Sequence, residues 1–528
     1  MGKEKLNTRA AAVVALAVML SRLLGLAREL IFASLFGAGR GMDAFLTAHR
    51  APNLLRDLFA EGALSVAFVT VFSRIIAARG NEAAWALARK MATLTFVFMS
   101  VMVVLGIAFS GPLISLLAPG FDPDKAAFTV LLTQIMFPFI LLVSLAALIM
   151  GMLNSRNVFA APALASSFYN IGSIVVGVGV AWMIDPTFGP KALIGMAVGT
   201  VFGGFLQMAV QFPSLRRVGF SFRPDFRWRD PDVKRVLVLM LPAVIAASAV
   251  QVNVFVNSVF ASYLGDGAVS WLSYAFRLMQ LPLGIFGVAI ATVTLPAVSK
   301  IAVGGDMAHF RETLSKALRL ALFLTLPATI GLVLMSNEII GLIYERGRFV
   351  RADTLQTASA LQFYAVGLMA YSCIKVLSPA FYAINRKWTP MMVSFFSIGL
   401  NVALNLQLTF RLGMGHRGLA LSTGLAAVAN FLLLFLLMRR AAGGMQTGVV
   451  VASFARMVVA GAGLAGVCWA GHIFLAPWLQ SGHLLARATA LFAVIGVGSS
   501  IYFALCALLR VEEAEDAVAL LRRKISRA

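Results

Sequence analysis

The sequence has few charged residues and very few cysteines. Lys, Arg, Asp and Glu make up 12% of its 528 residues, whereas soluble globular proteins usually carry about 25%. Because 60% of the residues are hydrophobic and the mean hydropathy is +0.89, the composition excludes a disordered chain. The three cysteines, Cys373, Cys468 and Cys506, form no CxxC motif and exclude a disulfide scaffold. These shortages predict a polytopic membrane protein.

Acidic residues are scarce as well. The chain has 22 Asp and Glu against 44 Lys and Arg, a formal net charge of +22. In a soluble protein such an excess of positive charge would suggest a nucleic-acid partner. The hydrophobic composition argues against that reading, so no nucleic-acid partner is expected and the positions of the basic residues have to be explained otherwise.

The hydrophobic residues fall into fourteen stretches, each long enough to cross a membrane, which takes about 20 mostly apolar residues in a helix. Turn signals such as Pro119-Gly120 and Gly265-Asp266-Gly267 separate them. The sequence therefore predicts an all-α polytopic membrane protein with 14 transmembrane helices. Their predicted cores are 10–36, 44–73, 91–118, 127–153, 159–184, 192–213, 236–264, 268–298, 317–342, 355–383, 389–410, 418–438, 450–476 and 485–509.

The basic residues are distributed unequally between the two ends of these helices. Of the 44 Lys and Arg residues, 29 lie on the side of the N-terminus and nine on the opposite side. Lys and Arg accumulate in the short cytoplasmic loops of membrane proteins. We therefore expect a multi-pass protein with both termini in the cytoplasm.

Six basic residues remain inside the predicted spans, together with four acids of the first two helices. A charge at the bilayer centre costs roughly 2.5–3.5 kcal/mol, so such residues usually face a wet cavity or the interior of a bundle. The basic residues are Arg22, Arg28, Arg50, Arg56, Arg277 and Lys375, and the acids are Glu29, Asp43, Asp57 and Glu61. At 100° per residue, four of these form one polar stripe on helix 2: Asp43, Arg50, Asp57 and Glu61.

Positive charge is in excess within the predicted spans. The five intramembrane arginines outnumber the four acids, and Arg277 comes from a distant helix. Guanidinium groups bind phosphate oxygens through two hydrogen bonds at once. The pattern therefore predicts a cationic cavity for a phosphate-bearing substrate. Interhelical ion pairs that only fix packing are the alternative for Glu29, Asp57 and Glu61, and Lys375 is expected to reach the membrane interface.

Two pairs of segments indicate an internal duplication. Residues 31–37 (IFASLFG) resemble 259–265 (VFASYLG), and 71–75 resemble 297–301. Such repeats are typical of secondary transporters, which bind substrate between the two halves. The predicted organisation is two six-helix lobes with a pseudo-two-fold relation, at 1–218 and 219–444. Two extra helices follow at 445–510, and an amphipathic cytoplasmic tail at 511–528.

Enzyme motifs are missing from the chain. It contains no Walker A motif, no HExxH and no GxSxG, and its five histidines are scattered. The predicted loops are too short to hold a soluble active site. We therefore expect a transporter and no enzyme, with no bound cofactor and no metal site.

Several motifs are long enough to identify a family. They are SRLLGLARE at 21–29, FGAG at 36–39, DAF at 43–45, PNLLRDLFAEGALSVAF at 52–68, SYAFRLMQLPLG at 273–284 and YERGRF at 344–349. Together they closely resemble the MurJ (MviN) family, the bacterial lipid II flippases of the MOP exporter superfamily. The resemblance extends over essentially the whole chain.

This resemblance implies a function and a site. Members move undecaprenyl-pyrophosphate that carries a disaccharide-pentapeptide from the cytoplasmic to the periplasmic leaflet of the inner membrane, by alternating access. Helices 13 and 14 would hold the polyprenyl tail. The implied partners are lipid II, membrane lipids and the cell-wall synthesis or division machinery. The implied substrate-binding residues are Arg22, Arg28, Asp43, Arg50, Arg56 and Arg277, with Glu29, Asp57 and Glu61 as gating or ion-pair residues.

Other functions stay open at this stage. A multidrug cation exporter of the same superfamily would need an acidic cavity, and a flippase for another polyprenyl-linked glycan would share the pyrophosphate. An integral-membrane glycosyltransferase would need catalytic acids near a loop. Some family members bind sodium through carboxylates, where this chain has Asn257 and the region of Asn385. Coupling to the membrane potential or to a monovalent ion is therefore left open.

Overall fold

The fold was analysed in a computed structural model, which describes residues 8–58, 64–479, 481–516 and 519. Every regular element in these ranges is a helix, so the predicted all-α fold is confirmed. The chain divides into two compact units. Unit 1 comprises Met1–Ser270 and Arg346–Phe349, and unit 2 comprises Trp271–Glu345 and Val350–Ala528. The predicted lobes at 1–218 and 219–444 and their pseudo-two-fold relation stay predictions.

In the part of the chain that the structure describes, unit 1 contains ten helices and the first residues of an eleventh. These are α1 (Thr8–Phe36), α2 (Arg40–Arg56), α3 (Ser65–Ala108), α4 (Ser110–Leu117), α5 (Pro123–Met136), α6 (Phe139–Ser155), α7 (Ala160–Ile184), α8 (Leu193–Ala209), α9 (Phe212–Arg217), α10 (Pro231–Ser262) and the start of α11 (Ala268–Pro282).

Two of these helices begin with the same local signal. The Asp122 side chain accepts a hydrogen bond from the Lys125 N–H at 3.1 Å, and Pro123 follows as the first residue of α5. Asp230 caps the Asp232 N–H at 2.8 Å ahead of Pro231 in α10. An acidic cap satisfies an N–H that the first turn leaves free, and proline at the first position lacks one of those N–H groups.

Helix boundaries differ from the predicted spans at two places. The predicted break at 74–90 is narrowed to Gly80 of α3 (Ser65–Ala108), where φ is +84° and ψ is −178°, because the residues on either side are helical. Residues with a side chain rarely adopt that conformation. Conversely, the predicted span 127–153 is divided into α5 and α6 around Pro138, whose missing N–H interrupts the helical hydrogen bonds.

Glycines allow α7 and α8 to pack backbone to backbone. Gly195, Gly199 and Gly203 recur every fourth residue on α8. A Cβ at Gly199 would collide with the backbone of Gly177 on α7, and one at Gly203 with the Tyr169 carbonyl oxygen. Small residues at this spacing are a common way for membrane helices to approach closely. This packing fixes the position of α7, which carries Tyr169 and Asn170, against α8.

Within the described ranges, unit 2 contains the remainder of α11, ten further helices and helical residues at 512–516. A π-helical turn, Leu283–Gly287, follows Pro282, and a second one occupies Asn405–Arg411. The helices are α12 (Val288–Val303), α13 (Met307–Leu334), α14 (Ser336–Tyr344), α15 (Arg351–Ala365), α16 (Leu368–Ala383), α17 (Trp388–Leu404), α18 (His416–Ala441), α19 (Thr447–Phe474), α20 (Ala476–Leu479) and α21 (Leu484–Leu508).

The core of unit 2 joins α13 to the two C-terminal helices. Tyr502 on α21 is fully buried and donates a hydrogen bond to the Phe323 carbonyl oxygen on α13 at 3.0 Å. Arg319 of α13 forms ion pairs with Glu512 at 2.6 Å and Glu513 at 2.9 Å, just after α21. Burial raises the pKa of the Glu513 carboxyl. The C-terminal segment is thus docked onto α13.

Ten helical segments among the described residues are long and apolar enough to cross a membrane, or eleven if α15 and α16, which meet at 43°, form one span. This supports a polytopic membrane protein. Three predicted spans fall outside this count, namely those that correspond to α1, α2 and α10. The number of fourteen therefore stays a prediction.

Candidate functional site

Arg28 is the arginine of α1 that the structure encloses. Its side chain is 15% exposed, and its guanidinium carbon lies 5.0 Å from the centre of the Tyr169 ring and 6.0 Å from that of Phe32. Among the described residues, the carboxylate that pairs with Arg28 is that of Glu29, with 3.9 Å between Arg28 Nη2 and Glu29 Oε1. Within the described part of the chain, Arg28 donates no hydrogen bond. A half-buried guanidinium is therefore held by ring faces while its N–H groups stay available.

Arg22 lies on the same helix but in different surroundings. Its side chain is exposed, and it makes no ion pair or hydrogen bond with the residues that the structure describes. At the residue directly before Arg22, Asn170 of α7 donates a hydrogen bond to the Ser21 carbonyl oxygen at 3.2 Å. The backbone that carries Arg22 is thus fixed to α7, although its side chain is not.

The arginines of α2 have polar partners close by. Arg50 Nη1 donates to Ser258 Oγ on α10 at 2.7 Å. Arg56 donates to Asp57 Oδ1 from Nε at 3.0 Å and from Nη2 at 2.8 Å, and Gln251 Nε2 lies 3.3 Å from Asp57 Oδ2. Asp57 therefore forms an ion pair with Arg56, its neighbour in the sequence, and a gating role for Asp57 stays a prediction.

His49 connects the arginines of the two helices. It lies within electrostatic range of both Arg28 and Arg56. Asn53 Nδ2 lies 2.7 Å from His49 Nδ1, one turn along α2. Sequence reasoning missed His49, because a single histidine in an apolar helix carries no spacing signal of its own. The structure thus brings Arg28 and Arg56 to one region of unit 1 around His49.

Asp43 is surrounded by protein donors. The residue is fully buried, and its Oδ2 atom lies 3.0 Å from Lys125 Nζ and 2.7 Å from the Gly267 nitrogen. Its Oδ1 atom accepts from the Ser270 nitrogen at 2.9 Å and from Ser270 Oγ at 2.6 Å. Both carboxylate oxygens are therefore engaged, and a substrate-binding role for Asp43 stays a prediction.

Charged neighbours surround this buried pair. Lys125 Nζ also lies 2.8 Å from Asp266 Oδ1, and Arg40 hydrogen bonds with Asp122. This hydrogen bond from Arg40 lowers the pKa of Asp122 to about 2. The sequence gives no sign of these partners of Lys125 and Arg40, because they lie 82 or more residues away in the chain. The network ties α2 and α5 to the connection between α10 and α11.

The remaining predicted residues lie elsewhere. Arg277 is on α11 in unit 2, half-buried and within electrostatic range of Tyr344. Lys375 is exposed on α16. Glu61 lies outside the described residues. Among those that are described, no three His, Cys, Asp or Glu side chains come close enough to hold a metal ion.

The sequence is similar to known proteins along most of its length. The family model described as lipid II flippase MurJ matches residues 32–489. A probable lipid II flippase MurJ from Vibrio cholerae is 34% identical over 509 residues, which cover 94% of this chain and 95% of that protein. The lipid II flippase MurJ of Burkholderia cenocepacia is 38% identical over 429 residues, which cover 80% and 82%.

Solved structures show the same likeness. A lipid II flippase MurJ in an inward closed conformation matches with a TM-score of 0.73 and 25% identity, over 93% of this chain and 99% of that one. An inward-facing multidrug resistance transporter of the MATE family, in the MOP superfamily, matches with a TM-score of 0.67 over 82% and 98%. At 16% identity, this second match shows a shared fold alone.

Proposed function

The chain belongs to the MurJ family of lipid II flippases, and we propose that it moves lipid II from the cytoplasmic to the periplasmic leaflet of the bacterial inner membrane. It is a membrane transporter and not an enzyme. The transport cycle is alternating access, in agreement with the transporters of the MOP superfamily that share its fold. Such a cycle requires the substrate to interact differently with the two states.

The surroundings of the Arg28 guanidinium are the observation that supports a phosphate-bearing substrate. Its guanidinium is 15% exposed and donates no hydrogen bond within the described ranges. A partly buried charged group whose N–H donors have no acceptor costs free energy. A ligand that accepts hydrogen bonds from these donors removes that cost. A pyrophosphate fits because its oxygens accept two parallel N–H bonds from one guanidinium. The arrangement thus supports an anionic headgroup as the ligand.

The other arginines would complete the headgroup site. Arg56 and Arg50 are held by Asp57 and Ser258, and hydrogen bonds of this kind can be exchanged for phosphate oxygens during capture. Arg22 is exposed on α1. We assign these three arginines and Arg28 to the pyrophosphate and the adjoining sugar, with Glu29 and Asp57 as exchange partners. A role of Arg277 in substrate binding rests on the family assignment alone.

The acids of the same region do not favour a cation substrate. Asp43 is paired with Lys125, and Asp57 with Arg56. Glu29 forms an ion pair with Arg28, with 3.9 Å between Glu29 Oε1 and Arg28 Nη2. A cation exporter would need a carboxylate that stays available, so this charge balance supports the flippase over the multidrug exporter.

The finer organisation follows from the same family assignment. The helices α1, α2 and α10 would complete the fourteen spans, with both termini in the cytoplasm. A groove of about 550 Å³ lies along α21, lined by Phe492, Gly496, Val497 and Ile501 among others. Its apolar lining suits a polyprenyl chain, so α19 and α21 are the proposed position of the lipid tail.

The membrane potential is the proposed driving force. Outward movement of the pyrophosphate carries negative charge from the negative to the positive side, which is favourable by about 2.3 kcal/mol per charge for 100 mV. In proteoliposomes, a potassium diffusion potential of this polarity should accelerate lipid II translocation. Collapse of the pH gradient alone should leave the rate unchanged. The opposite pattern would assign coupling to protons.

Complementation tests the site. Arg28→Ala should abolish growth of cells depleted of their own lipid II flippase, at unchanged protein level. Arg417→Ala is a matched control, because Arg417 is exposed at the start of α18. Full growth with Arg28→Ala would contradict the assignment, and loss of growth with Arg417→Ala would show that the assay reports expression only.

A further inference from the structure

A closed series of ring contacts surrounds Arg28. Tyr169 lies 5.6 Å from Phe139, Phe139 lies 6.0 Å from His49, and His49 stacks on Phe45 at 6.4 Å with 4° between the planes. Phe45 meets Phe32 edge to face at 5.7 Å. Because Tyr169 and Phe32 both contact the Arg28 guanidinium, the series returns to its starting point.

The members of this series come from four helices of unit 1. Phe32 belongs to α1, Phe45 and His49 to α2, Phe139 to α6 and Tyr169 to α7. Phe32, Phe45 and Phe139 are buried. The rings therefore have little freedom to rotate away, and Tyr169 is supported from behind by Phe139.

The contact with Tyr169 is made through the ring and not through the hydroxyl. The Tyr169 hydroxyl forms no hydrogen bond within the part of the chain that the structure describes. A cation over an aromatic face is attracted to it by about 0.5–1 kcal/mol when exposed and about 2 kcal/mol or more when desolvated. The ring thus contacts the guanidinium group, while the Arg28 N–H groups donate no hydrogen bond to the described residues.

The next residue of α7 fixes the helix that bears Arg28. Asn170 Nδ2 donates to the Ser21 carbonyl oxygen at 3.2 Å and to the Ser166 carbonyl oxygen of its own helix at 3.1 Å. Its side chain lies beside Gly25, where a Cβ would stand 3.7 Å from Nδ2. Tyr169 and Asn170 thus hold the Arg22–Arg28 segment from one side.

We infer that Tyr169 is a positioning residue for the headgroup site, whose ring orients the Arg28 guanidinium so that its N–H edge meets the pyrophosphate. This inference rests on the proposed function. Tyr169 does not itself have to touch the substrate. Pre-orientation of a flexible arginine reduces the entropy lost on binding.

The test is a double-mutant cycle with a defined probe. Binding of farnesyl pyrophosphate to the full chain in nanodiscs is compared with binding of farnesol, which lacks the phosphates. Tyr169→Leu should weaken farnesyl pyrophosphate binding about tenfold, and Tyr169→Phe should stay within about threefold of the wild type because the ring is kept. Phe168→Leu, the neighbouring ring on α7, is the matched control and should change nothing.

The cycle separates positioning from general damage to the fold. In an Arg28→Ala background, Tyr169→Leu should have no further effect, because a residue that acts only through Arg28 has nothing left to orient. Additive losses in the double variant would overturn the inference, as would a Tyr169→Leu chain that binds like the wild type. A wild type that binds farnesyl pyrophosphate no more tightly than farnesol would instead overturn the proposed function.

Discussion

Lys125 and Asp43 form a buried ion pair, with 3.0 Å between Lys125 Nζ and Asp43 Oδ2 and with 3% and 0% of the two side chains exposed. The carboxylate accepts three further hydrogen bonds, from Gly267 and Ser270. Burial of two charges is compensated only when their remaining hydrogen-bonding positions are filled, and here the carboxylate side is filled. The pair therefore stabilises the packing of α2 against α5 within unit 1.

Removal of Lys125 alone should destabilise the fold more than neutralisation of both Lys125 and Asp43. Lys125→Met leaves the Asp43 carboxylate buried without its cation and should destabilise the chain by about 3–5 kcal/mol. The combination with Asp43→Asn should recover part of this loss. Thermal unfolding in detergent measures the difference, with the exposed Lys191→Met as control. Equal melting temperatures for Lys125→Met and the control would contradict a stabilising role of the Lys125–Asp43 ion pair.

The neighbouring pair of Arg40 and Asp122 predicts a pH dependence. Arg40 lowers the pKa of Asp122 to about 2 from an ordinary value of about 3.9. The stabilisation is therefore present above about pH 4 and is lost as the pH falls through about 2. Arg40→Gln should melt below the wild type at pH 5–7, and the two curves should converge toward pH 2. A difference in melting temperature that does not change with pH would contradict the claim that the stabilisation comes from the ionised Asp122 carboxylate.

Docking of the C-terminal segment depends on Arg319. Its ion pairs with Glu512 and Glu513 hold residues 512–513 against α13, and Arg456 donates to the Arg510 carbonyl oxygen at 3.1 Å. Arg319→Gln should expose the Arg510–Val511 peptide bond to trypsin, whereas Arg439→Gln should not. The exchange Arg319→Glu with Glu513→Arg should restore part of the protection. Identical cleavage rates in all variants would contradict the docking.

The proposed orientation can be measured with new cysteines. Cys373, Cys468 and Cys506 are buried, so labelling of the parent chain by a membrane-impermeant maleimide should be low. Asp124→Cys, in the exposed first turn of α5, should be labelled in intact spheroplasts. Ser221→Cys, in the loop between α9 and α10, should be labelled only after permeabilisation. The reverse pattern would place the termini outside the cytoplasm.

Much of the fold could be predicted because it depends on local composition. Apolar runs and turn signals locate the helices, since a membrane helix must satisfy its own backbone. The exceptions are single-residue effects. Gly80 alone separates the two helical parts of α3, whereas Pro138 divides a stretch that looks continuous. Neither outcome can be read from hydropathy.

The sequence allows the candidate residues of the site to be identified, but it does not show which residues they contact in the fold. Intramembrane arginines stand out in the sequence because charge is costly there. That Asp43 faces Lys125, or that Arg28 faces Tyr169, depends on how distant helices pack. Pairs separated by 82 or 141 residues leave no pattern in a single sequence.

Outer-leaflet lipid II in cells depleted of their own flippase tests the central claim most directly. Lipid II that reaches the periplasmic face can be quantified by its cleavage with an externally added lipid II-degrading enzyme. The wild-type chain should restore cleavage, whereas Arg28→Ala, at equal abundance in the membrane, should leave lipid II protected inside. Protected lipid II with the wild-type chain, or restored cleavage with Arg28→Ala, would contradict transport through an arginine-lined headgroup site.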